Sequence, residues 1–397
     1  MSDSDRIQLS YAKETTYGTP PTGAYQIMRA TSESLHQETS TITSSELRAD
    51  RQIPDVVRSN LSAAGDISTE LSYSFEDFFE ASLMSAAWST GASLISSTSG
   101  DIDIDADGGT ADGSARVSFA NSPALAPITA GMWVKLKGFG TAANNGYFKV
   151  TAVDDGLDTI DITPNANFVD ETDAPTAATV SYGSQIVNGT TSTSYTIEKK
   201  YADLSTNFAI YNGMMIDSMS LNVSTEAMVT GGFTFIGAKG ESKTSTYGSS
   251  YTAATTKDVM NSVDDVTGVM ESDTYVARNI TSWSINVANN LRPRLQIGTL
   301  GAVSIGSGTC SVSGTLQGYY SDTTLLDKYM NFTDTALAVA FDDTDGNSYI
   351  VDCPKVIFTS AQRVAGGQNQ DIIADISWEA VMDDTEGITV RLVKFDA

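Results

Sequence analysis

The chain contains a single histidine, His36, and two cysteines, Cys310 and Cys353. A catalytic triad places a histidine beside its nucleophile, and zinc sites usually combine several histidine and cysteine ligands. These three residues cannot supply either kind of site within one chain. Polar and apolar residues alternate around His36, as in a β-strand, so we expect a surface histidine.

The two cysteines are too few for a disulfide framework in a chain of 397 residues. A bond between them across neighbouring strands is one alternative. Free thiols, as in a reducing compartment, are the interpretation we prefer.

Residues 103–108, with the sequence DIDADG, begin like a calcium-binding loop. Aspartates at alternate positions can direct oxygen ligands at a hard cation. The twelfth position of the loop is Ser114, however, where a closing carboxylate is needed. We therefore interpret the segment as a solvated acidic loop and predict no metal site.

Other candidates for chemistry are weaker. The carboxylate pair Asp383 and Asp384 lies in polar surroundings, which do not raise a carboxyl pKa for acid catalysis. No glycine-rich phosphate loop or nucleophile elbow occurs in a suitable context. Small basic clusters, at Lys199 and Lys200 and at residues 292–294, suit pairing with acidic surface on another subunit. The sequence predicts no enzymatic activity and no cofactor.

The formal net charge is −26 at pH 7. A protein this acidic repels nucleic acid, which argues against a DNA-binding module. No apolar run approaches the roughly 18 residues that suggest a membrane span, and no signal-peptide pattern follows Met1. We expect neither membrane insertion nor secretion.

The elements that carry these residues are mainly β-strands. Apolar residues recur at every second position in short runs, such as residues 218–223 and 283–287, and turn residues separate the runs. Two short helices are expected in addition, at residues 74–83 and 322–330. Each has an apolar stripe, with Ser74 or Asp322 as the predicted N-cap.

The order strand, strand, helix, strand, strand occurs twice, which predicts an internal duplication. A stretch rich in Gly, Ala, Thr and Asp, with short strands of its own, interrupts the first copy and predicts a small inserted β domain. The predicted domains are residues 1–90 with 192–240 for the first copy, 91–191 for the insertion, 241–273 for a linker and 274–397 for the second copy.

A charged segment, residues 46–60, separates two strands of the first copy and is long for a hairpin loop. Its mixture of both charge signs with apolar residues suits docking onto another protein, and exposed disorder is the alternative. The candidate contact residues are Glu46, Arg48, Asp50, Arg51, Ile53, Asp55, Val56 and Arg58.

Several segments resemble one family of phage tail tube proteins. The most specific are SELRADRQ at residues 45–52 and GDISTELSY at residues 65–73. Three others are similar to the same family, namely AKETTYGTP at residues 12–20, FDDTDGN at residues 341–347 and DDTEG at residues 383–387. The inserted stretch around Trp133 resembles small β domains of phage virion proteins. Together these segments cover most of the chain apart from the linker.

The resemblance implies a duplicated tail-tube fold, a β-sandwich or barrel with one short helix in each copy. It implies a structural protein of the virion tail, assembled in the host cytoplasm, whose stacked rings let DNA pass without specific binding. The implied partners are the tape measure protein, the tail terminator and baseplate or distal tail proteins. Because two copies share one chain, we expect a ring of three subunits with pseudo-sixfold symmetry, with a hexamer as the alternative. Residues 46–60 are then expected to contact a stacked ring.

A secreted or cell-surface adhesin or carbohydrate-binding protein is the alternative function. Richness in Ser, Thr and Gly and the acidic loop at residues 103–108 favour it, whereas the missing signal peptide and the duplicated unit oppose it. An enzyme acting on cell-wall glycan would need a buried pair of carboxylates, which the sequence does not display.

Overall fold

The computed structural model describes residues 3–95, 100–111, 113–120, 125–172, 174–175, 178–204, 206–275, 280–365 and 367–397. The predicted mainly-β fold is confirmed. The elements before the insertion are β1 (Ile7–Lys13), β2 (Ala24–Ile27), β3 (Ser32–Glu33), β4 (His36–Thr43), β5 (Val56–Glu70) and α1 (Glu76–Ser82). The insertion holds β6 (Ala92–Ile95), β7 (Ile102–Asp105), β8 (Ala115–Phe119), β9 (Trp133–Lys137), β10 (Gly146–Asp154), β11 (Thr159–Ile162) and β12 (Thr179–Tyr182).

The chain then returns to the main body. The next strands are β13 (Ser184–Val187), β14 (Tyr195–Tyr201), β15 (Phe208–Ser224), β16 (Thr230–Gly237), β17 (Lys239–Lys243), β18 (Ser250–Thr252), β19 (Val266–Glu271) and β20 (Thr274–Tyr275). The last elements are β21 (Ile280–Ala288), β22 (Arg292–Arg294), β23 (Ser304–Gly306), β24 (Ser311–Tyr319), α2 (Thr324–Asn331), β25 (Thr335–Asp342), β26 (Ser348–Val364), β27 (Ile373–Ala380) and β28 (Arg391–Phe395).

Strand pairing repeats along the chain, as the predicted duplication requires. The first unit pairs β1–β14, β14–β15, β15–β17, β15–β16, β16–β5 and β5–β4. The second unit pairs β19–β25, β25–β26, β26–β28, β26–β27, β27–β24 and β24–β21. The long strands β15 and β26 both have 17 residues, and each carries a register break near its middle, after Ile216 and after Phe358. The two units therefore share one topology.

One continuous apolar core serves both units. Helix α1 packs against β15 and buries Phe78 and Phe79, with Phe75 and Leu83 at its ends, as its predicted stripe requires. The prediction of Ser74 as the N-cap is wrong, because the N-cap of this helix is Phe75. The Ser74 hydroxyl lies 2.9 Å from the Ser72 hydroxyl instead.

The N-cap of helix α2 is Thr323, one residue after the predicted cap Asp322, but the Asp322 side chain still bonds the first turn. The Asp322 carboxylate accepts a hydrogen bond of 2.8 Å from the backbone N–H of Thr324. An acidic side chain at this position satisfies an otherwise unpaired amide of the first turn. The short helices thus cover one side of each unit.

The insertion forms a separate seven-stranded sheet with its own apolar core. It is fixed to the second unit through a third apolar cluster, in which Trp133 and Tyr147 pack with Ile350, Val393 and Phe395. Directly after the insertion, β13 pairs with β28 at the end of the second unit. The insertion is therefore joined to the second unit by this apolar cluster and by the strand that directly follows it.

Eight strands of the main body form one layer in the order β4, β5, β16, β15, β21, β24, β27 and β26. β15 and β26 contribute only their second halves, because their first halves pair with β14 and β25. Over the described residues this eight-strand layer does not close into a barrel. Its two outermost strands are β4 and β26.

Candidate assembly surfaces

The predicted contact segment forms the tip of an extended hairpin. Residues 44–55, here called the first arm, connect β4 to β5, and every residue of β4 is exposed. Six of the candidate residues lie in the first arm, and Val56 and Arg58 are the first part of β5. Ile42, Leu47 and Ile53 expose apolar side chains here, with Leu47 fully exposed.

The first arm has a defined backbone. The Ser44 N–H donates to the Asp55 carbonyl at 2.9 Å, and the Arg51 N–H donates to the Arg48 carbonyl at 3.2 Å. The Arg48 guanidinium holds the Asp50 carboxylate at 2.8 Å, and this hydrogen bond lowers the pKa of Asp50. Arg51 adopts a left-handed conformation with φ of 61°, which turns the chain. The arm presents apolar side chains on a folded turn.

A second arm, residues 289–310, was missed by the sequence analysis. It joins β21 to β24, the counterparts of β4 and β5, and it contains the small hairpin β22–β23. Leu295 and Ile297 are exposed at its tip. The internal duplication was the signal that could have revealed it, because the same connection in the other unit was already identified as unusually long.

The open face of the eight-strand layer carries small polar and acidic side chains. Neighbouring strands are linked there by side-chain hydrogen bonds, such as Thr234 to Asp66 at 2.7 Å and the hydroxyl pair Ser284 and Thr315 at 2.8 Å. The positions on this face are Ser34, His36, Glu38, Ser40, Ser62, Ala64, Asp66, Ser68, Glu70, Ser218, Ser220, Asn222, Ser224, Thr230, Gly232, Thr234, Ile236, Ser282, Ser284, Asn286, Ala288, Ser311, Ser313, Thr315, Gln317, Tyr319, Ser360, Gln362, Ile373, Asp375, Ser377 and Glu379. Five of these described positions are acidic, and none is lysine or arginine.

His36 lies on this face, exposed as predicted. A hydrogen bond to the Ser34 carbonyl and a weaker one to the Glu38 carboxylate raise its pKa. Both contacts are made with residues two positions away along the chain.

Both ends of the eight-strand layer are open edges in the described chain. β4 pairs with β5 on one side, and the second half of β26 pairs with β27 on one side. Unpaired backbone N–H and C=O groups along a strand edge readily accept another strand. The layer thus offers two edges for self-association.

Few features of the described residues suggest other chemistry. Among them no group of three or more His, Cys, Asp or Glu side chains is placed to hold a metal ion, and no helix combines the length and apolar character needed to cross a membrane. Cys310 and Cys353 are free, and burial raises the pKa of both thiols. The prediction of an acidic loop at residues 103–108 is wrong for its first half, because residues 103–105 belong to the insertion strand β7. The turn comes only after that strand, where the Asp105 carboxylate accepts a hydrogen bond from the N–H of Asp107.

Comparison with known families decides the identity of this fold. The family described as phage tail tube protein matches residues 4–380. The chain belongs to this family. No curated protein matches the chain significantly. Membership makes the chain a structural component of the phage virion tail, in a family whose members self-associate into a tube.

The match runs through the first unit and the insertion and through the second unit as far as the end of β27. It also agrees with the geometry of the tail tube protein described above. A subunit of a tube needs surfaces for its neighbours, and in the described part of the chain the two arms and the two edges of the eight-strand layer are exposed.

Proposed function

We propose that this chain assembles, without catalysing a reaction, into rings that stack into the tail tube, and that DNA passes through the tube without specific binding. The observation that carries the proposal is the eight-strand layer, with one open polar face and two open edges. Covering the edges with identical layers from other subunits produces a closed barrel whose inner wall is that face.

The chemistry of the face suits a passage for DNA. Phosphates are bound by lysine and arginine, whereas Asp66, Glu70 and Asp375 repel them within the screening length of about 8 Å at physiological salt. Serine and threonine hydroxyls supply weak contacts that water can replace. DNA is therefore expected to slide along this wall.

Ring size follows from the duplication. Each chain contributes two equivalent blocks of four strands, so three chains would give a ring with pseudo-sixfold symmetry. A ring of six chains is the alternative. The insertion lies on the second unit, away from the polar face, and we place it on the outside of the tube, where it does not obstruct DNA.

The arms are proposed to join stacked rings. Both project from the eight-strand layer at the connection between its paired strands, and both end in exposed apolar side chains. Burial of such side chains against a neighbouring ring stabilises stacking. The tape measure protein, the tail terminator and the baseplate or distal tail proteins are then the partners along and at the ends of the tube, assembled in the host cytoplasm.

Purified protein at increasing concentration is expected to form rings or hollow tubes. Self-association covers the open strand edges, and no second protein is needed to do so. Negative-stain electron microscopy with sedimentation checks this expectation. A folded protein that remains a monomer at all concentrations and salt conditions would contradict the proposed function.

The double substitution Leu47→Ser and Ile53→Ser is expected to leave rings intact but to raise the concentration needed for tubes at least about tenfold. Both side chains are exposed in the subunit and would be buried in the proposed contact, so their loss costs more than the 1.4 kcal/mol that corresponds to a factor of ten. Sedimentation measures the tube concentration threshold. Leu157→Ser, at an exposed leucine of the insertion, is the control. Tubes that form at the same threshold in both variants would remove the first arm from the stacking contact.

A further inference from the structure

We propose that the second half of β26 in one subunit pairs antiparallel with β3 and β4 of the next subunit, in the register by which β15 pairs with β21 within the chain. Residues 360–364 then lie opposite residues 34–38 of the neighbour, with Gln362 opposite His36. The partner is a second copy of this chain. The inference rests on the proposed self-assembly and specifies its interface.

The two long strands correspond residue by residue. In each, the register break lies just before a serine, Ser218 or Ser360, and the residue before the break pairs with an aromatic residue of the next strand. Ser218 therefore corresponds to Ser360, and Leu221 corresponds to Arg363. The second half of β26 is the counterpart of the part of β15 that meets β21.

The strands on the other side of the junction also correspond. Gly65 of β5 and Gly314 of β24 each pair with an aromatic residue of the following strand. A Cβ atom at either glycine would overlap a serine carbonyl oxygen, that of Ser34 or that of Ser284. The two serines therefore align, and β3 with β4 is the counterpart of β21.

Within the chain this junction is fully formed. β15 and β21 pair from Ser218 opposite Ala288 to Ser224 opposite Ser282. The corresponding edges of β26 and β4 have no strand partner among the described residues of the subunit. One end of the eight-strand layer thus carries one half of the junction, and the other end carries the other half. Pairing of this kind is head-to-tail, and it closes into a ring instead of a two-fold dimer.

A cavity marks the internal junction. Its volume is about 280 Å³, and its lining includes Val223 at the end of β15, Val269 of β19 and Trp283 of β21. Val223 belongs to the first unit and the other two residues belong to the second. The end of the long strand therefore forms one wall of this cavity.

The counterpart of this cavity at the open edge is a wider groove. It has a volume of about 520 Å³ and is lined by Ile7 and Leu9 of β1, the counterpart of β19, and by Glu33 of β3. Among the described residues of the subunit, none lies there in the place of Val223. In the proposed register the segment that follows β26 of the neighbour supplies that wall, which identifies a second copy as the occupant.

The open edges bring residues of opposite charge near each other. Arg363 corresponds to Leu221 and Glu33 to Trp283, two buried apolar residues of the internal junction, so an arginine comes to lie near a glutamate between subunits. Within the subunit the Glu33 carboxylate also pairs with Lys199. Arg363 is exposed, and its guanidinium lies 5.1 Å from the centre of the Tyr320 ring. Opposite charges on neighbouring strands stabilise pairing, whereas like charges oppose it.

Cysteine cross-linking tests the register. Residues 217 and 289, and residues 225 and 281, are joined by backbone hydrogen bonds, so Ser220 and Asn286 between them form a pair without such bonds. Side chains of such pairs lie closest together in antiparallel sheets. His36→Cys with Gln362→Cys, in a Cys310→Ser background, is therefore expected to form a disulfide between subunits. Oxidised assemblies should give a ladder that ends at three chains on a non-reducing gel.

Two control variants calibrate the result. Ser220→Cys with Asn286→Cys should form the corresponding bond within one chain, without a larger product. Ser40→Cys with Gln362→Cys places one cysteine four residues away, about 13 Å along the strand, and should give at least about tenfold less ladder. Glu38→Cys with Ser360→Cys is a second in-register pair, should the first variant not fold.

The outcomes separate the interface from the function. Rings or tubes without a cross-link from either in-register pair, while the internal control reacts, would overturn the register but leave self-assembly standing. A monomer under all conditions would overturn both. A ladder that ends at six chains would support the register and overturn the ring of three.

Discussion

Replacement of Lys149 by methionine is expected to lower the free energy of unfolding by about 3–5 kcal/mol, the range found when one partner of a buried ion pair is removed. Lys149 lies on β10 of the insertion. Its ammonium nitrogen is 3.1 Å from Glu386, 3.3 Å from Asp273 and 3.8 Å from Asp352, all in or beside the second unit. Thermal and urea unfolding of the dispersed subunit measure the change, with a fall in Tm of about 5–10 °C.

The size of the effect follows from Asp352. Its side chain is 0% exposed, and neither carboxylate oxygen has a hydrogen-bond partner within the described chain. Among the described residues, the cations that compensate its charge are Lys149 and Arg391, the latter at 3.6 Å. Burial alone would lower the pKa of Lys149, but the charges of Asp352, Asp273 and Glu386 together raise it. Burial also raises the pKa of Asp273. Removal of the lysine leaves the carboxylates of Asp273, Asp352 and Glu386 with the guanidinium of Arg391 as the remaining cation of the cluster.

Two variants check this interpretation. Lys137→Met, at an exposed lysine of the same sheet, is expected to change the free energy of unfolding by less than about 0.5 kcal/mol. Asp352→Asn combined with Lys149→Met restores the original charge balance of the cluster, and we expect it to recover more than about 1 kcal/mol. If Lys149→Met costs no more than Lys137→Met, the cluster does not secure the insertion.

The sequence was informative where local periodicity decides the structure. Alternating residues predicted several of the strands, such as those at residues 218–223 and 283–287, and the stripe of phenylalanines predicted α1, because a buried face must recur with the period of its element. The first arm was recognised from its length and its mixed composition. These features depend on residues close together in the chain.

Long-range pairing was not predictable in the same way. β13 pairs with β28, about 200 residues later, and the second arm was interpreted only as a basic cluster at residues 292–294. The ionic cluster around Lys149 assembles residues from four separate segments, none of which carries a distinguishing pattern. Contacts of this kind depend on the topology, which short-range patterns do not encode.

One motif shows how a structural role can resemble a functional one. Glu14, within the family-like opening, is buried, and its carboxylate accepts hydrogen bonds from the Ser194 and Thr196 hydroxyls and from the Gly18 and Gly213 backbone N–H groups. A buried carboxylate that accepts four hydrogen bonds fixes the backbone around it. The resemblance of residues 12–20 to the family is thus explained by the structural role of Glu14 in the fold.

The edge strand β4 is where a single backbone change should have the largest effect on assembly. The Ser34 N–H donates to the Asp66 carbonyl of β5 at 2.9 Å. Because amides of a strand point alternately to its two sides, the N–H of Gln37 points away from β5, to the open edge. A proline there removes no hydrogen bond within the subunit, whereas it removes one from the proposed interface and places its ring in the path of the neighbouring strand.

Gln37→Pro is therefore expected to give a folded subunit that no longer forms rings, with the concentration needed for assembly raised at least about a hundredfold. Circular dichroism and thermal unfolding measure the fold, and sedimentation with electron microscopy measures assembly. Gln37→Thr, which keeps the backbone N–H of residue 37, should assemble normally. Val287→Pro, at the counterpart position in β21, should prevent folding, because that strand pairs with β15 inside the subunit. Rings of normal appearance from Gln37→Pro would show that β4 is not the edge that meets the next subunit.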